Sequence, residues 1–484
     1  MTNTNDNLTD DLPENQSKQK MKALIIGSGG REHAIVWKLS QSENIEKIWV
    51  APGNGGTATE NKSENVFMDV NPSSEEGQKI LLEFAQKEKV DLTIVGPEDP
   101  LAAGFVDKFR SAGLAVIGPD KAASRLESSK VFSAKFMEKY GVRAGNRKVF
   151  TDIDKALEAV DKYFNRQNKS RALVKDDAVT ALPLVIKADG LAAGKGVVIT
   201  VDPKEAKDCI ASFMKNGSIG EAGKTVIMEE YLEGREVSVM AAVSVKPGVK
   251  GVMRPFISAR DHKRRFENDE GPNTGGMGAI APVPDFDLKT QKDFIDAILN
   301  PTLKGMEAEK MDYRGFIFFG LMVKDGLCNL LEYNVRLGDP ETQALLPLLD
   351  SDLSVMCLSI LDSSLDSFAF KWKNKFSCAP VAVADGYPVS YGKGYPIAVN
   401  RNALDQKGAK LFIAGAQKGD GGASGDGLRT SGGRVLAVCA LGDDGGDARA
   451  RAYESLGFIG FEGMTYRKDI GLANNAGHCE GNNE

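Results

Sequence analysis

Met21-Lys-Ala-Leu-Ile-Ile-Gly-Ser-Gly-Gly-Arg-Glu-His33 opens the part of the chain that reads as folded. Its run Lys22-Ala-Leu-Ile-Ile26 is short, apolar and closed by Gly27, which predicts a buried strand; a helix-patterned stretch, 34–40, follows the glycines. Two more strand-like runs, 48–50 and Leu92–Val95, close on Ala51-Pro-Gly-Asn54 and Gly96-Pro-Glu98. Helical patterns at Glu75–Glu88 and 101–111 separate these runs, and a fourth run, 115–117, ends at Gly118-Pro119. Strands that alternate with helices and end in polar glycine loops predict an open parallel α/β sheet, with ligands held at those loops.

Outward from this block the chain is long enough, at 484 residues, for about three domains of ordinary size. The balance of 61 basic against 67 acidic residues leaves a net charge of −6, which offers no electrostatic footprint for a nucleic acid. Apolar runs stop short of the roughly 18 residues a membrane span needs. Six cysteines without a C-x-x-C pair, and only three histidines, give neither a zinc site nor a disulfide framework. Residues 1–20 are polar, acid-rich and free of arginine, so they read as a disordered leader and not as a signal or transit peptide. A cytoplasmic location is expected.

A second block runs from about 121 to about 366. It begins with a helical pattern at 130–139 and a polar stretch at 166–180, read as a surface loop or insertion. Strand patterns at 184–187, 197–201, 225–229, 237–245 and 316–323 follow. The third block, about 376 to 470, has short strands and many glycines, with 418–426 as a flexible turn.

Five motifs carry chemistry. In the first, Glu32 replaces the third glycine of a dinucleotide fingerprint; the turn either binds nothing or holds one phosphate on the amides of Gly29 and Gly30. The second is Lys187-Ala-Asp-Gly-Leu-Ala-Ala-Gly-Lys-Gly196. It has three residues between Gly190 and Gly194, no hydroxyl after Lys195 and strands on both sides, so it is no Walker A loop. A glycine-rich hairpin can close over a triphosphate with Lys187 and Lys195 neutralising charge, although hairpin lysines are commonly just solvated. The third, 226–236, is a strand, a short connection and a second strand. Such a hinge can offer backbone groups to an adenine and a carboxylate to a ribose, or be an ordinary acidic turn. Asp261-His-Lys-Arg-Arg265 followed by Gly271-Pro-Asn-Thr-Gly-Gly-Met-Gly278 suggests a loop wrapped around an anion, against the alternative of a solvated basic face. In the fifth, Leu330-Leu-Glu-Tyr-Asn-Val-Arg-Leu-Gly-Asp-Pro-Glu341, strand alternation puts Glu332, Asn334 and Arg336 on one face. A carboxylate and an amide oxygen suit Mg²⁺ held partly by substrate phosphates, with Arg336 near a transferring phosphoryl group.

Taken in order, GSGGREH, APGN, DLTIVGPE, ESSK, IKADGLAAGKGV, DHKR, GPNTGGMGA, EYNVRLGDPETQ, TSGGRVLAV and RKDIG resemble the phosphoribosylamine–glycine ligase family of the ATP-grasp superfamily, over about 21–471. The resemblance implies an N-terminal α/β substrate-binding domain at 21–121 and an ATP-grasp domain at 122–366 with its lid at about 140–232. It further implies a small β-rich C-terminal domain at 376–472 and a disordered tail at 473–484. The implied reaction joins glycine to 5-phosphoribosylamine at the expense of ATP, giving glycinamide ribonucleotide, ADP and phosphate through glycyl phosphate in purine synthesis. The implied ATP site comprises Lys130, Lys187, Lys195, Glu229, Leu232 and Glu236; Glu332 and Asn334 would hold Mg²⁺ or Mn²⁺. Arg336 and Lys195 are the implied catalytic residues, and Gly29, Gly30, Arg31, Glu98, Asp261 and Asp339 line the implied substrate side. A stand-alone monomer is expected.

The sequence departs from its relatives in three places. Phe318-Phe-Gly-Leu321 lacks the second metal-binding carboxylate of many ATP-grasp enzymes, 166–180 is long, and Arg260 stands where bacterial relatives often carry glutamine. Two other readings are an ATP-grasp ligase with a different carboxylate substrate, and a nucleotide-sensing or dinucleotide-binding protein without ligase activity. The second leaves Glu332, Asn334 and Arg336 unexplained.

Overall fold

The computed structural model describes residues 20–174, 182–190, 196–419 and 427–472, with side chains in the helix Ile153–Val174 only as far as Arg166. The expected leader up to residue 19, the tail 473–484, Lys195 and residues 420–426 of the expected turn lie outside this set.

The first apolar run forms the strand Met21–Gly27, flanked in parallel by Ile45–Pro52 and Leu92–Val95; Val116–Pro119 continues the sheet. Ala23 and Ile25 enter one core and Leu24 and Ile26 another, all fully buried. Burial on both faces explains why the run is apolar throughout instead of alternating. Each of the Leu and Ile side chains contributes about 2 kcal/mol of transfer free energy. The helices start and stop on local chemistry. Ser74 accepts from Gly77 N to open Glu75–Glu88, and left-handed Lys89 closes it. Ser129 accepts from Phe132 N to open Lys130–Tyr140, and left-handed Gly141 closes that helix.

The parallel strands do not form a sheet of their own. Tyr313–Lys324 pairs antiparallel with Val116–Pro119 through Tyr313 and Arg314, so one nine-stranded mixed sheet runs through the first and second blocks. Beyond Tyr313–Lys324 lie Arg235–Lys246 and Val249–Pro255, and Leu327–Asn334 pairs on its other side. A separate four-stranded sheet, ordered Arg147–Phe150, Val226–Glu230, Leu184–Ala188, Val197–Thr200, packs on the helices Ile153–Val174 and Pro203–Met214 through its own core. The third block builds a sheet around Phe376–Ala384 and Arg434–Gly442.

Several expectations need correction. The polar stretch 166–180 is helical as far as Val174, because Ala156, Val160 and Phe164 put a buried stripe at every fourth position and the helix runs on past it. The helix expected over 101–111 is two, Glu98–Ala103 and Phe105–Ser111, broken where Gly104 takes φ +90°. Ser63–Asn65 is an additional edge strand too polar to read. The basic segment 260–278 is no simple loop. It contains the pair Arg260–Asp261 and the hairpin Arg264–Phe266 with Glu270–Asn273, and Gly278–Ala281 crosses to pair with Phe376–Ala384 in the third block's sheet.

Candidate active site

The glycine turn after the first strand is closed by its own chain. Gly29 N–H donates to Glu32 Oε2 at 2.5 Å and Arg31 Nε donates to Oε1 at 2.5 Å. A Cβ on Gly96 would lie 2.0 Å from Glu32 Oε1, so glycine there makes room for the carboxylate. Arg31 N–H points to Asp339 Oδ2 at 3.5 Å, and Arg31 Nη1 donates to Leu337 O at 3.1 Å. The Gly29 amide read as a phosphate holder is therefore spent on Glu32. Gly30 is needed for close approach, since a Cβ there would lie 2.4 Å from Gln343 Nε2.

The lid-like sheet brings Lys187 and Glu229 onto neighbouring strands, with Nζ 2.7 Å from Oε2 and a weaker reach to Leu331 O at 3.5 Å. Arg147 lies 3.9 Å from the same carboxylate. Lys130 Nζ donates to Gly190 O at 2.8 Å, tying the helix Lys130–Tyr140 to the end of Leu184–Ala188; burial, ahead of its charged neighbours, lowers its pKa. Gly190 itself takes φ +130°. Leu232 lies in the connection between Val226–Glu230 and Arg235–Lys246, half-buried against Gly145. Glu236 opens the second of these strands and pairs with Lys263 at 2.9 Å. That carboxylate, against the cost of burial and helped by Glu332 and Asp261, holds Lys263 far above an ordinary lysine.

Near the end of Leu327–Asn334, Glu332 is exposed and Asn334 half-buried. The position opposite Glu332 on the neighbouring strand is Gly320, which confirms that no second carboxylate stands there. Enclosure between the cleft walls pushes the Glu332 carboxyl up, but Lys263, Lys187, Lys130 and Arg336 outweigh it and hold the group below the usual range. Among the described residues no group of three or more His, Cys, Asp or Glu side chains could hold a metal alone. The protein offers one carboxylate and one amide oxygen. That set fits a hard cation completing its shell with water and substrate phosphates, and does not fit a site built from protein ligands only.

Arg336 is more committed than the sequence suggested. Nε donates to Glu98 Oε2 at 3.2 Å, Nη2 to Glu127 Oε1 at 2.9 Å and to Asn334 Oδ1 at 3.0 Å, and Nη1 to Leu337 O at 3.3 Å. Glu98 thus joins the parallel strands' loops to the segment after Leu327–Asn334; burial raises its pKa, and Arg336 and Arg31 more than reverse that. Asp339 is also engaged. It accepts from Gln343 Nε2 at 2.7 Å, while Arg434 Nη1 donates to its backbone oxygen at 2.7 Å and also to Gly275 O. Burial works against its ionisation, yet Arg434 and Arg31 keep it lowered. Asp261 lies under Gly276, where a Cβ would come 2.7 Å from Oδ1. That oxygen has no hydrogen-bond partner, and burial, then the charge of Glu341, drives the Asp261 pKa well up.

Two residues of the expected basic cluster turn inward. Arg265 Nε donates to Tyr387 O at 2.8 Å and His262 Nδ1 lies 3.1 Å from Gly278 O, both buried. Sequence reasoning missed Glu127, Arg434 and the separate part of Lys263. Glu127 and Arg434 stood inside quoted segments, and only contacts across more than 90 residues distinguish them. Cys328, Cys357, Cys378 and Cys439 are buried, and burial pushes Cys378 up to about 12 with Arg449 a smaller opposing effect.

Three family models match the chain. The phosphoribosylglycinamide synthetase N domain matches 21–127, its ATP-grasp (A) domain 128–342 and its C domain 377–473. The chain is 45% identical to the phosphoribosylamine–glycine ligase of Clostridium acetobutylicum, over 93% of this chain and 99% of that one. The corresponding protein of Fusobacterium nucleatum is 44% identical over 93% and 98%. A crystal structure of phosphoribosylamine–glycine ligase from Thermotoga maritima superposes with a TM-score of 0.75 at 33% identity, covering 93% of this chain and all (100%) of that one. The biotin carboxylase domain of Hydrogenobacter thermophilus 2-oxoglutarate carboxylase, at 13% identity and TM-score 0.65 over 92% of each chain, shares the fold alone. The three-domain chain belongs to the phosphoribosylamine–glycine ligase family, within the ATP-grasp group.

Proposed function

We propose that this protein ligates glycine to 5-phosphoribosylamine with ATP, forming glycinamide ribonucleotide, ADP and phosphate in purine biosynthesis. The observation that carries the residue roles is that Lys263, Lys187, Lys130 and Arg336, from separate parts of the second block, together hold the Glu332 carboxyl below its usual range. Each cation already has an internal partner, so binding a triphosphate exchanges partners in place of burying unpaired charge.

Glycine's carboxylate resists amine attack until phosphorylation supplies a leaving group, and the resulting acyl phosphate then accepts the amine and releases phosphate. In our reading Lys130, Lys187 and Lys195 bind ATP phosphates, Glu229 and the backbone near Leu232 frame the adenine, and Glu236 receives the ribose. Glu332 and Asn334 would hold Mg²⁺ or Mn²⁺, which supplies charge neutralisation for phosphoryl transfer. Arg336 and Lys195 stabilise charge on the transferring group. The Gly29, Gly30 and Arg31 turn, with Glu98, Asp261 and Asp339, lines the amine and glycine side. Gly29 and Arg31 shape that wall more than they bind, because their amides and the Arg31 side chain are engaged internally. No side-chain nucleophile is required, since the γ-phosphate passes directly to the carboxylate.

Domain limits of 21–121, 122–366 and 376–472, with the lid at about 140–232, belong to the same reading, as do a monomer and a cytoplasmic location. Among the described residues no helix is long and apolar enough to cross a membrane. The test is ADP release by purified protein with phosphoribosylamine generated in situ, comparing glycine with alanine, aspartate and bicarbonate. Turnover that needs both glycine and phosphoribosylamine is expected; turnover with another acid instead overturns the substrate assignment.

A further inference from the structure

Glu127 faces no substrate in the reading above, yet it holds together the strand end on which that reading depends. It belongs to the one-turn helix Arg125–Ser128, at the junction between the parallel strands and the helix Lys130–Tyr140. Its side chain is 8% exposed, and both of its oxygens go to one two-residue stretch. Oε2 accepts from Val335 N–H at 2.7 Å, and Oε1 accepts from Arg336 Nη2 at 2.9 Å. The same Nη2 donates to Asn334 Oδ1 at 3.0 Å.

A guanidinium only donates, so this contact decides which end of the Asn334 carboxamide is oxygen. If Arg336 swung away, the Asn334 amide could rotate and present NH₂ where a cation needs a lone pair. Burying a carboxylate is expensive unless its hydrogen bonds are complete. Capping Val335 uses one oxygen and anchoring the guanidinium uses the other, and a carboxylate supplies both without turning a donor toward either partner.

We propose that Glu127 is a positioning residue: by bridging Val335 N and Arg336 Nη2 it fixes the guanidinium and, through it, the orientation of the Asn334 oxygen toward the cation. This rests on reading Glu332 and Asn334 as the cation's ligands. It adds a residue from the domain junction to the apparatus that holds that cation.

The experiment measures Mn²⁺ binding, from the EPR signal of free Mn²⁺ in the presence of ADP, for the intact protein, Glu127→Gln and Glu332→Ala, alongside thermal unfolding. Glu127→Gln keeps the side-chain volume but turns an NH₂ toward one of the two donors. Binding about tenfold weaker is expected, as for partners that orient metal ligands elsewhere. The unfolding temperature should fall, because one buried donor loses its acceptor, so the affinity is read at a temperature where the variant is still folded. A purely structural residue would lose stability and leave Mn²⁺ affinity of the folded protein unchanged. Unaltered affinity in Glu127→Gln with weakened binding in Glu332→Ala overturns the positioning role. Unaltered affinity in both overturns the ligand assignment itself. Should Glu127→Gln not fold, Glu127→Asp, one methylene too short to reach both donors, is read by the same outcomes.

Discussion

Glu32 and Glu332 are the same residue near two strand ends, Glu32 in the first turn of the helix that follows Met21–Gly27 and Glu332 two residues before the end of Leu327–Asn334, and the fold uses them in opposite ways. Glu32 is 1% exposed and surrounded by local donors, taking the Gly29 amide and the Arg31 guanidinium. Glu332 is exposed, and what acts on it is charge from three lysines contributed by distant parts of the chain and from Arg336 four residues on. A carboxylate whose donors lie within three residues is consumed by its own turn, in the manner of a capping box. A carboxylate whose neighbours are long cationic side chains keeps its lone pairs for something that binds.

The strongest test removes the open member of this pair. Glu332→Ala should lower kcat/KM for ATP about a thousandfold, or about 4 kcal/mol in transition-state stabilisation. Its unfolding temperature should stay close to that of the unaltered protein, because Lys130, Lys187, Lys263 and Arg336 each retain another partner. Near-normal turnover at saturating Mg²⁺ would sink the assignment and erase the contrast with Glu32.

A second test asks whether inward-facing motif residues report on stability alone. His262 was quoted within a basic, anion-wrapping segment, yet it is buried beside Gly278 O, with Arg467, Asp269 and Asp469 as its charged neighbours. Burial, and then the Arg467 charge, lowers its pKa from 6.5 to about 4. Between those values the unfolded chain binds the extra proton and the folded one does not, so stability falls as the pH drops through this window. The full effect is about 3 kcal/mol. In urea unfolding from pH 7 to pH 4, the stability difference between the unaltered protein and His262→Asn should shrink by about that amount. Parallel curves would show that His262 is not held neutral.

How far the sequence carried follows from the same distinction. Short apolar runs bounded by glycine located Met21–Gly27 and Leu92–Val95, because burial on both faces is written in consecutive residues. The alternation of Glu332 and Asn334 was legible for the same reason, since two-residue periodicity is local, whereas the strand ends at Asn334 and Arg336 lies in the bend beyond it, brought back by its contact with Asn334 Oδ1. The pairing of Tyr313 with Pro119, which fuses two blocks into one sheet, and the crossing of Gly278–Ala281 into the third block's sheet depend on partners far away. Arg434 could not be distinguished from any arginine on a strand until Gly275 and Asp339 were brought beside it. The resemblance to relatives supplied roles for Lys187 and Glu229, but their mutual 2.7 Å contact was visible only in the fold.

The smallest effect is expected from the closed carboxylate. Glu32→Gln preserves shape and leaves one oxygen to accept, but its NH₂ then meets either the Gly29 amide or Arg31 Nε, both donors. One buried donor loses its acceptor, at a cost of about 2 kcal/mol. Denaturant unfolding should move to a lower midpoint with an unchanged slope, while the KM for ATP stays constant because neither Glu32 nor its partners reach the lid-like sheet. A large fall in ATP turnover with no loss of stability would mean that Glu32, too, is held for a ligand. The helix beginning at Gly30 would then be a binding element and not a self-capped turn, and the two glutamates would differ only in which substrate they await.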